Sequence, residues 1–240
     1  DLDILNLQIC AAMLDPNEFM IHVMYKYSVN DMLDDRRHSP NERNDDSTRH
    51  QITLLEEFLR LIYTILVERY TLRLGAVTED DCCKNEIIQW LCKESMSNSE
   101  LFEHLSEENS EKNVEDLISE VAEFRHSSST SITAGRYVLK ETYRERFNPF
   151  FYHYTRQDQS AAFETQMRIK RSQKEKYLCC PPPPLPDFEQ PFQSINQILL
   201  CDVTLTLLKC LLEKTINLED IYFSDFQFQK CLYLIGIALN

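Results

Sequence analysis

The side chains with the most chemistry to offer in this chain are its 9 cysteines and 6 histidines, set among 39 acidic and 25 basic residues. A zinc site needs ligands a few residues apart, as in C-x-x-C or H-x-x-x-H. Here the cysteines stand singly or as the neighbours Cys82-Cys83 and Cys179-Cys180, and neither spacing occurs. An odd number of cysteines with no extracellular signature reads as reduced, mostly buried thiols. Acyl transfer through G-x-S-x-G, phosphate cradling through G-K-[ST] and metalloprotease chemistry through H-E-x-x-H all lack their residues. Only 3 glycines occur, Gly75, Gly135 and Gly236, too far apart to let backbone approach a phosphate or a dinucleotide. The most suggestive histidine, His153 between Tyr152 and Tyr154, is explained more simply as a packed strand residue. No catalytic, cofactor-binding or metal-binding residue is expected in these 240 residues.

The elements that would position any site centre on Lys84 to Tyr154. Ile87, Ile88 and Leu91, with Trp90 beside them, give a first helix over Lys84 to Glu94 an apolar face, with Glu86 and Lys93 off it. Ser97-Asn98-Ser99-Glu100 is a capping box for a second helix carrying Leu101, Phe102 and Leu105 inward. Asn113 caps a third, where Val114, Leu117, Ile118 and Val121 keep core-facing spacing. The serine run Ser127 to Ser131 ends the helical pattern; a strand around Tyr137 and Leu139 follows Gly135, and Phe150 to Tyr154 is expected as the second strand closing a wing. Three helices and a hairpin make a winged helix-turn-helix, so the fold class is mainly α, a helical scaffold holding that unit.

Motif alone favours DNA, but charge argues against it. Glu111, Glu115, Asp116, Glu120 and Glu123 surround the third helix against a single Lys112, and the net charge is -14. Nucleic-acid affinity comes mainly from cations on phosphates, so no nucleic acid is expected as a partner. Ile52 to Val67 is apolar nearly all round but too short and too charged to span a bilayer, so no membrane insertion is expected either.

The expected organisation is a helical pair over 1–33, a flexible polar linker over 34–50, a buried helix and turn over 51–83, and the winged-helix domain over 84–155. A charged connecting helix over 156–180, a proline-rich spacer over 181–191 and a C-terminal helical part over 192–240 complete it. In the first helix Leu2, Leu5, Ile9, Ala12 and Met13 form the apolar stripe, and Asp15-Pro16-Asn17-Glu18 starts the second. Pro181 to Pro186 must be extended; a stiff spacer is the default and a ligand for an SH3 or WW groove the alternative. The start at Asp1 suggests a piece excised from something longer.

Several stretches, in order, resemble the UBR-family E3 ubiquitin ligases, the large N-recognin-type proteins. They are Asp1-Leu2-Asp3 through Asp15-Pro16-Asn17; Leu55-Glu56-Glu57-Phe58; Glu68-Arg69-Tyr70 with Leu74-Gly75-Ala76-Val77; Glu86-Ile87-Ile88 with Leu91; and Ser99-Glu100-Leu101. Phe150-Phe151-Tyr152-His153-Tyr154, the proline run and Leu232 to Leu239 continue the series. Arg125-His126-Ser127-Ser128 stands where the family often has a Lys-Lys-Pro-Gly-type turn, which suggests a divergent member of the kind of the third animal paralogue. The resemblance implies a noncatalytic scaffold segment of a ligase that takes ubiquitin from an E2 to substrate proteins for proteasomal degradation. Zinc is then expected only in the UBR box and RING of the parent protein, outside these residues. The partners it implies are the rest of the ligase, the E2 and protein substrates, and the place is cytoplasmic, with the nucleus also open. The alternative is an interaction adaptor using the winged helix or the proline run.

Overall fold

The structure, a computed structural model, describes residues 2–30, 45–106, 114–126, 135–216 and 224–239. Its helices are α1 (Leu2–Met13), α2 (Pro16–Lys26), α3 (Asp45–Val67), α4 (Glu79–Lys93), α5 (Asn98–His104), α6 (Val114–Val121), α7 (Arg156–Ser172), α8 (Asp202–Ile216) and α9 (Asp225–Ala238). Strands β1 (Ala122–Arg125) and β2 (Arg136–Leu139) and 3-10 helices over Glu141–Arg146 and Gln190–Leu199 complete them. The chain divides into two compact units, one of Asp1–Glu68 with Phe188–Asn240, the other Arg69–Asp187.

In the first unit α1 lies chiefly against the 3-10 helix Gln190–Leu199, and α3 against α9. Local sequence starts these elements cleanly. Asp15 accepts from the backbone N–H groups of Asn17 and Glu18 with Pro16 at the first turn, and Ser224 with Gln227 forms a complete capping box before α9. The expected stripe of α1 is not its inner face. Gln8 is 1% exposed and Ala11 fully buried, whereas Leu2 is 70% and Met13 80% exposed, and Ile9 is exposed as well. The reason is polar: the Gln8 amide donates to the carbonyls of Ile65 (3.0 Å) and Glu68 (2.7 Å), which the end of α3 leaves without helical partners. The stretch Gln190–Thr215 is long and apolar enough to cross a membrane by composition. Its Ile195, Ile198, Leu199, Leu207, Leu208 and Leu211 are buried within the unit, as core elements are.

The second unit is organised round α4. That helix begins five residues earlier than Lys84, because Thr78 and Asp81 cap each other and Glu79, Asp80 and Asp81 complement the helix N-terminus. Ile87, Ile88, Trp90 and Leu91 are buried as expected, and so are Cys83, Gln89 and Cys92, so α4 is enclosed on nearly every side. Helix α5 carries the expected Ser97/Glu100 capping box, and α6 buries Val114, Leu117, Ile118 and Val121. The Asn113 cap, residues 34–44 of the expected 34–50 linker and the serine run lie outside the described residues; residues 45–50 are not linker but the first turns of α3, whose apolar stretch further on carries the helix back over them.

The wing differs from expectation. Strand β2 pairs antiparallel with β1, in register Ala122 with Leu139 through Arg125 with Arg136, and Tyr137 also bonds Met96 on its other edge. Phe150 to Tyr154 is no strand: Asn148 Oδ1 accepts from Phe150 N, Phe151 N donates to the Asn148 carbonyl and Tyr154 N to that of Phe151. Successive turns use the N–H groups a ladder would need, and Phe150, Phe151 and Tyr154 go into the core. Helix α7 is no mere connector either. It packs along α4, burying Ala162, Gln166 and Met167, and the Gln166 amide donates to the Cys92 carbonyl at 2.6 Å.

Candidate functional site

The outward face of α6 and the hairpin behind it form the surface that a winged helix offers a partner. Glu115, Asp116, Ser119, Glu120 and Glu123 are exposed there, while the opposite stripe of α6 is core. The cations nearby are already engaged. Lys84 Nζ lies 2.7 Å from Glu120, and Lys140 Nζ donates to the carbonyls of Ser119 (2.9 Å) and Glu120 (2.6 Å), closing the helix C-terminus. Arg125 sits 3.5 Å from Glu123. The hydrogen bond to Glu120 also raises the Lys84 ammonium above its ordinary pKa, fixing it in the charged form. A duplex phosphate would meet carboxylates first and find these cations partnered. Glu111 and Lys112 lie outside the described residues.

Beside this face, Phe124 is 48% exposed and edge-packed on Tyr137, lining an open groove with Phe102, Ser97, Ser99 and Gly135. Gly135 leaves room for that packing, since a Cβ there would sit 2.1 Å from the tip of the Phe124 ring and would push it aside. Trp90, the only tryptophan, stacks on exposed His104 with centroids 4.1 Å apart, and Phe151 and Tyr154 meet it edge-on.

The polar residues that tie α4 to its neighbours are buried or half-buried, and pattern reading passes over them. Gln89 donates to the Arg146 carbonyl (2.8 Å) and to Asn85 (3.2 Å), and its Oε1 accepts from Asn148 N (2.8 Å). The Tyr154 hydroxyl donates to the Gln89 carbonyl. Glu86 accepts from both the N–H and the hydroxyl of Ser106 at 2.9 Å, tying the end of α5 to α4. Apart from Asn85, one turn back on α4, these partners lie twenty or more residues away, so no local signal marks them.

His153 is exposed beside the rings of Phe151 and Tyr152, with no nucleophile placed against it by these contacts. Among the described residues no three His, Cys, Asp or Glu side chains come together as a metal site. Cys82-Cys83 and Cys179-Cys180 are not joined in disulfides, and burial pushes Cys92 up to about 12, Cys180 to about 11 and Cys231 to about 12, so these remain protonated.

Residues 82–182 match the family described as E3 ubiquitin-protein ligase UBR1-like, winged-helix domain. Over its whole length the chain is 38% identical to E3 ubiquitin-protein ligase UBR1 of Drosophila melanogaster, covering 13% of that protein. It is 36% identical to UBR2 of Mus musculus, again over the whole chain and 14% of the relative. Against mouse UBR3 identity is 28%, over the whole chain and 13% of the relative, so the expected leaning toward the third animal paralogue is not followed. The chain spans about one-eighth of the length of these curated relatives.

Proposed function

Because the chain belongs to the UBR family, as a region built round a UBR1-like winged-helix domain, we propose that it is the noncatalytic scaffold of an E3 ubiquitin ligase. In this reading the parent protein passes ubiquitin from an E2 ubiquitin-conjugating enzyme to proteins destined for the proteasome. Its zinc-holding UBR box and RING belong to other parts of the polypeptide, and this segment keeps them at a workable separation, in the cytoplasm and with access to the nucleus. The observation that carries the proposal is the uncovered apolar side of α1. Leu2, Ile9 and Met13 share one helical face and stand in solvent, with Ile21 and Tyr25 exposed on α2. Such a face is costly unless something covers it, and relatives roughly eight times longer have the chain to do so.

The test is made in the parent ligase with purified E1, E2 and substrate. Ile88→Asp or Leu117→Asp, which place a charge in the core round α4, should lower substrate ubiquitination by destabilising the scaffold. Ile9→Asp with Met13→Asp should lower it while the isolated chain melts as before. Full activity with the segment shown by proteolysis to be unfolded overturns the scaffold reading.

A further inference from the structure

The proline run is attached to its unit along one side only. Each of Cys180, Pro181, Pro182, Pro183 and Leu185 precedes a proline, which keeps it extended, and each proline ring holds φ near about -65°. Chain so restricted takes the polyproline II helix, with about three residues per turn. Exposure follows that period. Cys180 and Pro183 are buried and Pro186 half-buried, whereas Pro181, Pro184 and Asp187 are exposed, with Pro182 and Leu185 between.

The inner ridge is fastened at its end: Arg69 donates to the Pro186 carbonyl at 3.1 Å and Ala76 N to that of Asp187 at 2.8 Å. Burial pulls Arg69 down to about 10, partly offset by Asp187, so it still clamps as a cation at neutral pH. The approach from the other side, Tyr177, Leu178 and Cys179, is exposed.

We propose that the outer ridge, Pro181 and Pro184, is a docking ligand for a partner protein whose groove is lined by parallel aromatic rings, as in SH3, WW and EVH1 domains. Such grooves grip prolines three residues apart on a polyproline II helix and need one face of it free, which is the face left open here. The ring-fixed backbone and the clamped inner ridge leave little conformational freedom to lose on docking.

The test titrates the 240-residue chain with a panel of purified SH3, WW and EVH1 domains to about 1 mM, by calorimetry. At least one domain should bind, and Pro181→Ala with Pro184→Ala should weaken it by about tenfold or more while Trp90 fluorescence melts stay in place. Should that variant melt early, Pro184→Glu alone, on the exposed ridge, makes the same comparison. No binding by any domain, or equal binding by a stably folded ridge variant, overturns the proposal.

Discussion

Replacing Gln89 with Met tests whether the buried amide, rather than apolar packing alone, fixes the loop over Arg146 to Asn148 against α4. Methionine keeps about the same length and loses the polar end. Asn148 N and the Arg146 carbonyl would then be left in the core without the Gln89 bonds of 2.8 Å each. An orphaned buried group costs about 1–3 kcal/mol, so two cost roughly 2–5 kcal/mol, with some return from removing a buried amide. For a unit of about 120 residues, 1 kcal/mol moves Tm by about 4 °C, so the expected fall is roughly 8–20 °C. Trp90 is the natural probe, being the only tryptophan, next to Gln89 on α4 and 5% exposed, so its emission reports this unit alone. The urea midpoint should fall with the m-value unchanged. A change below about 0.5 kcal/mol would refute the reasoning, because it would mean these groups find other partners at no cost.

Gly75→Ala should cost about 2 kcal/mol or more, since its Cβ would lie 1.9 Å from the Arg69 carbonyl oxygen, whereas Gly135→Ala meets only the movable Phe124 ring and should cost less; equal melting temperatures would contradict this. Stability should fall as acid removes the capping carboxylates. Bonds from the Thr78 hydroxyl and then its backbone N–H hold Asp81 below 3.8, and those from the Ser97 backbone and then its hydroxyl hold Glu100 below 4.5. Burial pushes Asp158 up, but Lys93 and Thr155 more than offset it. Because all three folded values are depressed, their contribution is complete above about pH 4.5 and is lost as pH falls through the folded values. A Tm that stays flat down to about pH 3 would exclude it. With a thiol reagent at neutral pH, exposed Cys10 and Cys179 should react first and Cys92, Cys180 and Cys231 only on unfolding, as peptide mapping of the labelled protein will show.

What was legible in the sequence is what is settled within three or four residues. The boxes at Ser97/Glu100 and Ser224/Gln227 and the start at Asp15-Pro16 are there because a short side chain reaches the free N–H groups of its own helix. Thr78/Asp81 and Thr155/Asp158 have the same chemistry but precede polar turns, so apolar periodicity places α4 too late and leaves the cap of α7 unmarked. The rest depends on partners far away. Gln8 turns α1 over because carbonyls 57 and 60 residues on attract it, and β1 is a strand only because β2 returns to it across Gly135. The acidic character of the α6 face was legible in composition, since charge does not depend on the fold. The ties that Gln89 and Glu86 make from α4 were not, since one is a buried amide and the other a helix carboxylate with no marked neighbour.

The first unit is interrupted: its opening 68 residues are completed only by the stretch from Phe188 onward, with Arg69–Asp187 in between. A ribosome therefore delivers the two units out of step. At about 5–20 residues per second, the intervening residues take roughly 6–24 s to emerge, and throughout that time α1 and α3 lack the Gln190–Leu199 helix and α9 that will cover them. The winged-helix unit, continuous in sequence, can close first. The nascent N-terminal helices spend that interval with their inner faces bare, and that interval is when a chaperone has most to gain by holding them.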